Sequence, residues 1–134
     1  MKRRSMLLAM IGLATLASRD GAAAEPLNSS RVELLMFEEV GCPWCRRWRA
    51  EVGPSYPLSS EGKRAPLRVL DMHRPLPPGL VLAGPIIASP TFVLIEDGDE
   101  VGRIVGYPGS DFFWGLLEGL MRKVKHPTPN NVVQ

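Results

Sequence analysis

The sequence predicts an α/β domain in which four short strands are interleaved with helices, and three observations predict it. An apolar run at residues 32–37 leads into Gly41-Cys42-Pro43-Trp44-Cys45-Arg46 and then into helical spacing. Two strand-like runs, residues 91–95 and 101–105, flank a polar turn containing Gly98, the pattern of an antiparallel hairpin. An amphipathic segment closes the domain, with Ser110 as N-cap, Asp111 in the first turn and an apolar stripe of Phe113, Leu116, Leu117, Leu120, Met121 and Val124. A length of 134 residues and 45% hydrophobic content suit one globular domain.

The chain opens with Met1-Lys2-Arg3-Arg4, continues in an apolar run from Met6 to Ala17 and reaches Ala22-Ala23-Ala24. A basic start, a short apolar stretch and small residues, in that order, read as a secretory signal peptide over residues 1–24. An uncleaved anchor is the competing reading, but the run falls short of the roughly 20 apolar residues that a spanning helix needs. Arg3-Arg4 before Ser5-Met6-Leu7-Leu8 also resembles a twin-arginine signal, which leaves the export route open. Of 16 basic and 14 acidic residues, the segment carries Lys2, Arg3, Arg4 and Arg19 against Asp20. The remaining 12 basic and 13 acidic residues make the mature chain nearly neutral, so charge gives no reason to expect nucleic acid as a partner. In an oxidising compartment two cysteines usually mean one structural disulfide, yet a bridge across two residues constrains the unfolded chain little.

Residues 25–31 have no period and read as a flexible lead-in to a domain spanning residues 25–126. Residues 32–37 are apolar at almost every position, as in a strand buried on both faces. Glu38 and Glu39 close the strand; they are either proton acceptors for a buried thiol or solvated loop charges. From Cys42 to Val52 the apolar positions Cys45, Trp48 and Val52 recur at three and four, with Arg46, Arg47 and Arg49 on the other sides. Those arginines support a thiolate, attract an acidic partner or face solvent. Pro43 suits the first turn, and Gly53-Pro54 ends the helix.

Both cysteines lie in this stretch. Cys42 falls at the positive end of the helix, where a thiolate is favoured and its pKa drops below the free-cysteine value of about 8.5. Cys45, one turn in and facing the core, is the resolving thiol. Trp44 occupies the second intervening position, where exposure makes it a contact surface beside the reactive sulfur.

Residues 56–66 read as a linker with a helical turn capped by Ser59 or Ser60, and residues 67–70 as a short strand ending at Asp71. Pro75, Pro77, Pro78, Gly79, Gly84 and Pro85 break up residues 74–89, leaving room for one turn at 80–83. Arg122, Lys123 and Lys125 complement the negative end of the last helix, and residues 127–134 read as a disordered tail. His73 and His126 accompany no cluster of metal-type ligands, so no metal is expected.

Cys42-Pro43-Trp44-Cys45 at the first helix, with Ser89-Pro90-Thr91 at the start of the third strand, resembles the thioredoxin superfamily over roughly residues 32–125, including Asp97-Gly98 and Gly106. The resemblance implies an α/β, thioredoxin-like fold with a central mixed sheet of about four strands flanked by helices. It implies a cofactor-free thiol:disulfide oxidoreductase with Cys42 and Cys45 as catalytic pair. Pro90 would be a cis-proline packed against the dithiol, and the backbone at Ser89 would pair with the substrate chain, beside Pro43 and Trp44. Typical thioredoxins have Gly-Pro between the cysteines and a buried Asp in the preceding strand; here Met36 stands at about that position, leaving Glu38, Glu39 or water to accept the Cys45 proton.

Pro followed by an aromatic is more like glutaredoxins. A short exported chain with Gly-Cys-Pro-aromatic-Cys is similar to the small periplasmic thioredoxins encoded with bacterial sulfur-oxidation genes, which keep a carrier protein's thiol reduced. The implied protein is periplasmic, acts on a periplasmic protein thiol or disulfide and draws electrons from a membrane thiol transporter; a monomer is expected. Oxidation or isomerisation would use the same residues. Two readings come from other classes: a copper(I) carrier, although copper loops usually place Met where Val40 stands, and a redox-inert binding module stapled by its bridge.

Overall fold

The computed structural model describes residues 31–125; the expected signal segment (1–24), the lead-in before Arg31, His126 and the tail (127–134) lie outside the described residues. Strand β1 (Val32–Glu38) runs into α1 (Pro43–Glu51). A 3-10 turn at Tyr56–Leu58 and the short α2 (Ser60–Arg64) then return the chain to β2 (Leu67–Asp71), parallel to β1. Strand β3 (Thr91–Glu96) pairs antiparallel with β1, β4 (Asp99–Val105) pairs antiparallel with β3, and α3 (Ser110–Met121) follows. The resulting order β2-β1-β3-β4 is the expected mixed sheet, with β1 and β3 in its interior.

Interior placement explains the nearly continuous apolar runs. Successive strand residues point to opposite faces, so a strand covered on both sides needs apolar side chains at every position. Leu34, Met36, Phe92 and Leu94 join Cys45, Trp48, Val52, Phe113 and Leu117 in one cluster, while Leu35, Phe37, Val93 and Ile95 form another. The first cluster is where α1 and α3 dock.

The second face is covered by the crossover. Leu80, Leu82 and Ile86 pack against it, whereas Val81 and Ile87 are exposed. The turn expected at residues 80–83 is therefore replaced by an extended strap: Val81 forms a parallel bridge with Asp99, donating its N–H to Gly98 and accepting from Glu100. Prolines at 75, 77, 78 and 85 remove N–H groups that a helix requires, and alternation of period two suits an extended chain.

One ion pair pins this strap. Arg103 on β4 grips both Glu100 oxygens at 2.7 Å and donates to the carbonyls of Pro85 (2.9 Å) and Gly84 (3.1 Å). Glu100 in turn accepts the Ala83 N–H at 2.6 Å. The Arg103 bond, with help from the Ala83 N–H against the cost of burial, holds the Glu100 carboxyl below its ordinary value. A carboxyl depressed in the folded state contributes stability that is complete above its unfolded value of about 4.3 and is lost as pH falls through the folded one. Acid titration of stability is accordingly expected to be shallower in Glu100→Gln than in wild type below about pH 4.3, which urea unfolding at several pH values checks.

Two element ends depend on particular residues. Ser59 caps α2, accepting the Gly62 N–H at 2.9 Å. A Cβ at Gly62 would lie 1.8 Å from the Tyr56 carbonyl oxygen, so Gly62→Ala forces backbone apart and is expected to cost at least about 1–3 kcal/mol, read as a lower urea midpoint. At α3 the N-cap is Gly109, not the expected Ser110: Gly109 takes φ 102°, a conformation that favours glycine, and Ser110 is already helical. The stripe also narrows. Phe113, Leu117, Leu120, Met121 and Val124 are buried, but Leu116 is exposed, as is Phe112.

Candidate active site

Cys42 is the N-cap of α1, with Pro43 in the first turn where a missing N–H costs nothing. The Cys42 Sγ accepts the Cys45 N–H at 3.1 Å, one of the helix-start donors that lack a backbone partner. Cys42 and Cys45 form a disulfide with Cα atoms 5.3 Å apart. Both are largely covered, Cys42 at 7% exposure and Cys45 at 1%, so the first sulfur is the more accessible and the second faces the core, as the spacing predicts.

Trp44 is half exposed, as expected of its position. The Arg47 guanidinium lies 5.7 Å from the centre of its ring. Arg47 also pairs with Glu51 at 2.8 Å, and Tyr107 donates its hydroxyl to the other Glu51 oxygen at 2.5 Å. Burial and this bond push the Tyr107 hydroxyl up to about 12, so it stays a donor at any physiological pH. The bonds from Arg47 and Tyr107 hold the Glu51 carboxyl below its ordinary range. Tyr107 and Glu51 were not legible as a pair, since they are 56 positions apart.

The chain from the crossover meets the dithiol at Ser89, which precedes Pro90. Their peptide bond is cis, Pro90 is buried, and the Pro90 carbonyl accepts the Gly106 N–H at 2.7 Å. The Ser89 hydroxyl lies 3.3 Å from Cys45 Sγ and accepts the Glu39 N–H at 3.1 Å. Sequence reasoning assigned Ser89 a backbone role only; the side-chain contact depends on the tertiary approach of the loop before β3 to α1.

Both candidate acids face basic side chains. Glu38 pairs with Arg49 at 2.7 Å, and the Glu39 carboxylate is 3.0 Å from His73 Nε2. Met36 is fully buried in the first cluster. Among the described residues, no group of three or more His, Cys, Asp or Glu side chains is placed to hold a metal ion.

A bridged Cys-X-X-Cys at the start of a helix, on a four-stranded mixed sheet, with the serine of a cis Ser-Pro pair against the inner sulfur, defines a thioredoxin-fold dithiol protein. A solved structure agrees with that reading. The periplasmic thioredoxin SoxS from Paracoccus pantotrophus, in its reduced form, is 53% identical, with 69% of this chain and 97% of that chain covered and a TM-score of 0.68. Fasciola hepatica thioredoxin matches at 24% identity over 72% of this chain and 84% of that one, TM-score 0.48. Neither the protein-family models nor the curated proteins return a match. The chain belongs to the thioredoxin superfamily and is a thiol:disulfide oxidoreductase.

Proposed function

We propose that this chain is an exported, periplasmic reductase of protein disulfides, with Cys42 as nucleophile and Cys45 as resolving thiol. The observation that carries the reading is Cys42 at the N-cap of α1, its sulfur 3.1 Å from the Cys45 amide, in a chain 53% identical to a periplasmic thioredoxin. Backbone donors at a helix start favour a thiolate, which is the attacking species. That thiolate attacks a substrate disulfide, and Cys45 then attacks Cys42 Sγ, releasing reduced substrate and closing the bridge. Trp44 and Pro43 form the contact surface beside the sulfur, and Pro90 with the Ser89 backbone receives the substrate chain. Continued turnover draws electrons through a membrane thiol transporter.

Cys45→Ala is expected to hold a disulfide-bearing protein such as insulin as a mixed disulfide on Cys42 that dithiothreitol releases. If it captures nothing and only loses stability, the bridge is a staple and the redox-inert reading stands. Trp44→Ala is expected to raise KM for a protein substrate about five- to tenfold while leaving reduction of a small aromatic disulfide nearly unchanged, which steady-state kinetics with both substrates separates.

A further inference from the structure

Cys45 must carry negative charge during turnover in a position that is 1% exposed. Burial in apolar surroundings disfavours a thiolate. Cys45 belongs to the same apolar cluster as Met36 and Trp48, and the carboxylates of Glu38 and Glu39 are engaged by Arg49 and His73. Among the described residues, one side-chain hydroxyl stands within hydrogen-bonding distance of its sulfur, Ser89 Oγ at 3.3 Å. Because Oγ already accepts the Glu39 N–H at 3.1 Å, its own hydrogen is free to donate. A disulfide sulfur carries no hydrogen, so the bond runs from the Ser89 hydroxyl to Cys45 Sγ.

We propose that the Ser89 hydroxyl is a catalytic hydrogen-bond donor to Cys45 Sγ, offsetting the burial of its thiolate without taking its proton. The proposal rests on the reading of Cys42 and Cys45 as the redox pair. In the resolving step the Cys45 proton passes to solvent and the thiolate attacks Cys42 Sγ. The Cys42–Cys45 bond forms, the bond from Cys42 to the substrate sulfur breaks, and the substrate leaves as a thiolate that takes a proton from water. Two electrons pass from the dithiol to the substrate. In the opposite sense, a donor thiolate attacks Cys42 and Cys45 departs with the charge; the same hydroxyl receives it. The Glu39 amide fixes the donor's direction from the end of β1, so the sheet itself aims the hydroxyl.

A hydrogen bond to a charged acceptor corresponds to about one to two pKa units. Nucleophilicity falls with thiol pKa at a Brønsted slope of about 0.4–0.5, so losing the donor slows attack only about three- to tenfold at a pH below the titration midpoint. Two readouts follow. Thiolate absorbance of Cys45 in a Cys42→Ala background is expected to titrate about one to two units higher when Ser89→Ala is added. Release of a preformed mixed disulfide in the protein with both cysteines should slow about three- to tenfold. Ser89→Thr restores the donor and returns both readouts toward wild type, whereas Ser89→Val, which has the shape of threonine without the hydroxyl, behaves as Ser89→Ala and keeps the test independent of whether alanine is tolerated. The proposal is overturned if Ala and Val leave both readouts at wild-type values, or if Thr behaves as Val. Failure of the redox reading is distinguishable: the protein with both cysteines intact would then form no mixed disulfide, while the Cys45 titration would still report the hydrogen bond.

Discussion

Cys42→Ser is expected to abolish disulfide reduction, with turnover down at least about a thousandfold, while the fold persists. A serine hydroxyl does not ionise near neutral pH and so cannot replace a thiolate in attack on a disulfide. The substitution nevertheless suits its place. Cys42 is an N-cap whose sulfur accepts the Cys45 N–H, and serine is among the preferred N-cap residues for making that bond. The lost bridge spans only Cys42 to Cys45, and in the chain-entropy account so short a loop contributes about 2 kcal/mol. Turnover with a protein disulfide, beside a urea titration of the same sample, separates lost chemistry from lost structure. Activity within tenfold of wild type would remove Cys42 from the mechanism.

Trp48→Ala is expected to cost about 3–5 kcal/mol, a large share of the roughly 5–15 kcal/mol that stabilises a domain. Trp48 is 1% exposed on the inner face of α1, with ring centres 5.2 Å from Phe92, 5.7 Å from Phe113 and 6.1 Å from Tyr56. It therefore joins the dithiol helix to β3, to α3 and to the 3-10 turn at once. Removing the ring opens a cavity that three elements cannot close together, and partial collapse is what makes such deletions expensive. Urea unfolding followed by far-UV circular dichroism should show a lower midpoint with an unchanged slope. Trp48→Phe retains most of the packing and should lose markedly less.

The parts of this molecule governed by local pattern were legible. Nearly continuous apolar runs gave the interior strands, the hairpin announced itself by its turn, and Cys45, Trp48 and Val52 fell on one helix face as their spacing requires. The crossover was not legible in the same way. Its alternation at Leu80, Leu82 and Ile86 is short and interrupted by glycine and proline, and its place on the sheet depends on Arg103 and Glu100 from β4. At α3, Ser110 has the chemistry of a cap, but the positive φ of Gly109 starts the helix one residue earlier. The dithiol was read from spacing alone, whereas the Ser89 hydroxyl acquires meaning only when folding brings it to a sulfur 44 positions away.

The central claim is that the Cys42–Cys45 couple is a reversible redox centre working as a reductant. Its most direct test is the reduction potential of the protein, equilibrated against dithiol buffers and read by thiol alkylation. A value near that of thioredoxin, about −270 mV, is the result expected. A value near about −120 mV would make the protein an oxidant and contradict the account.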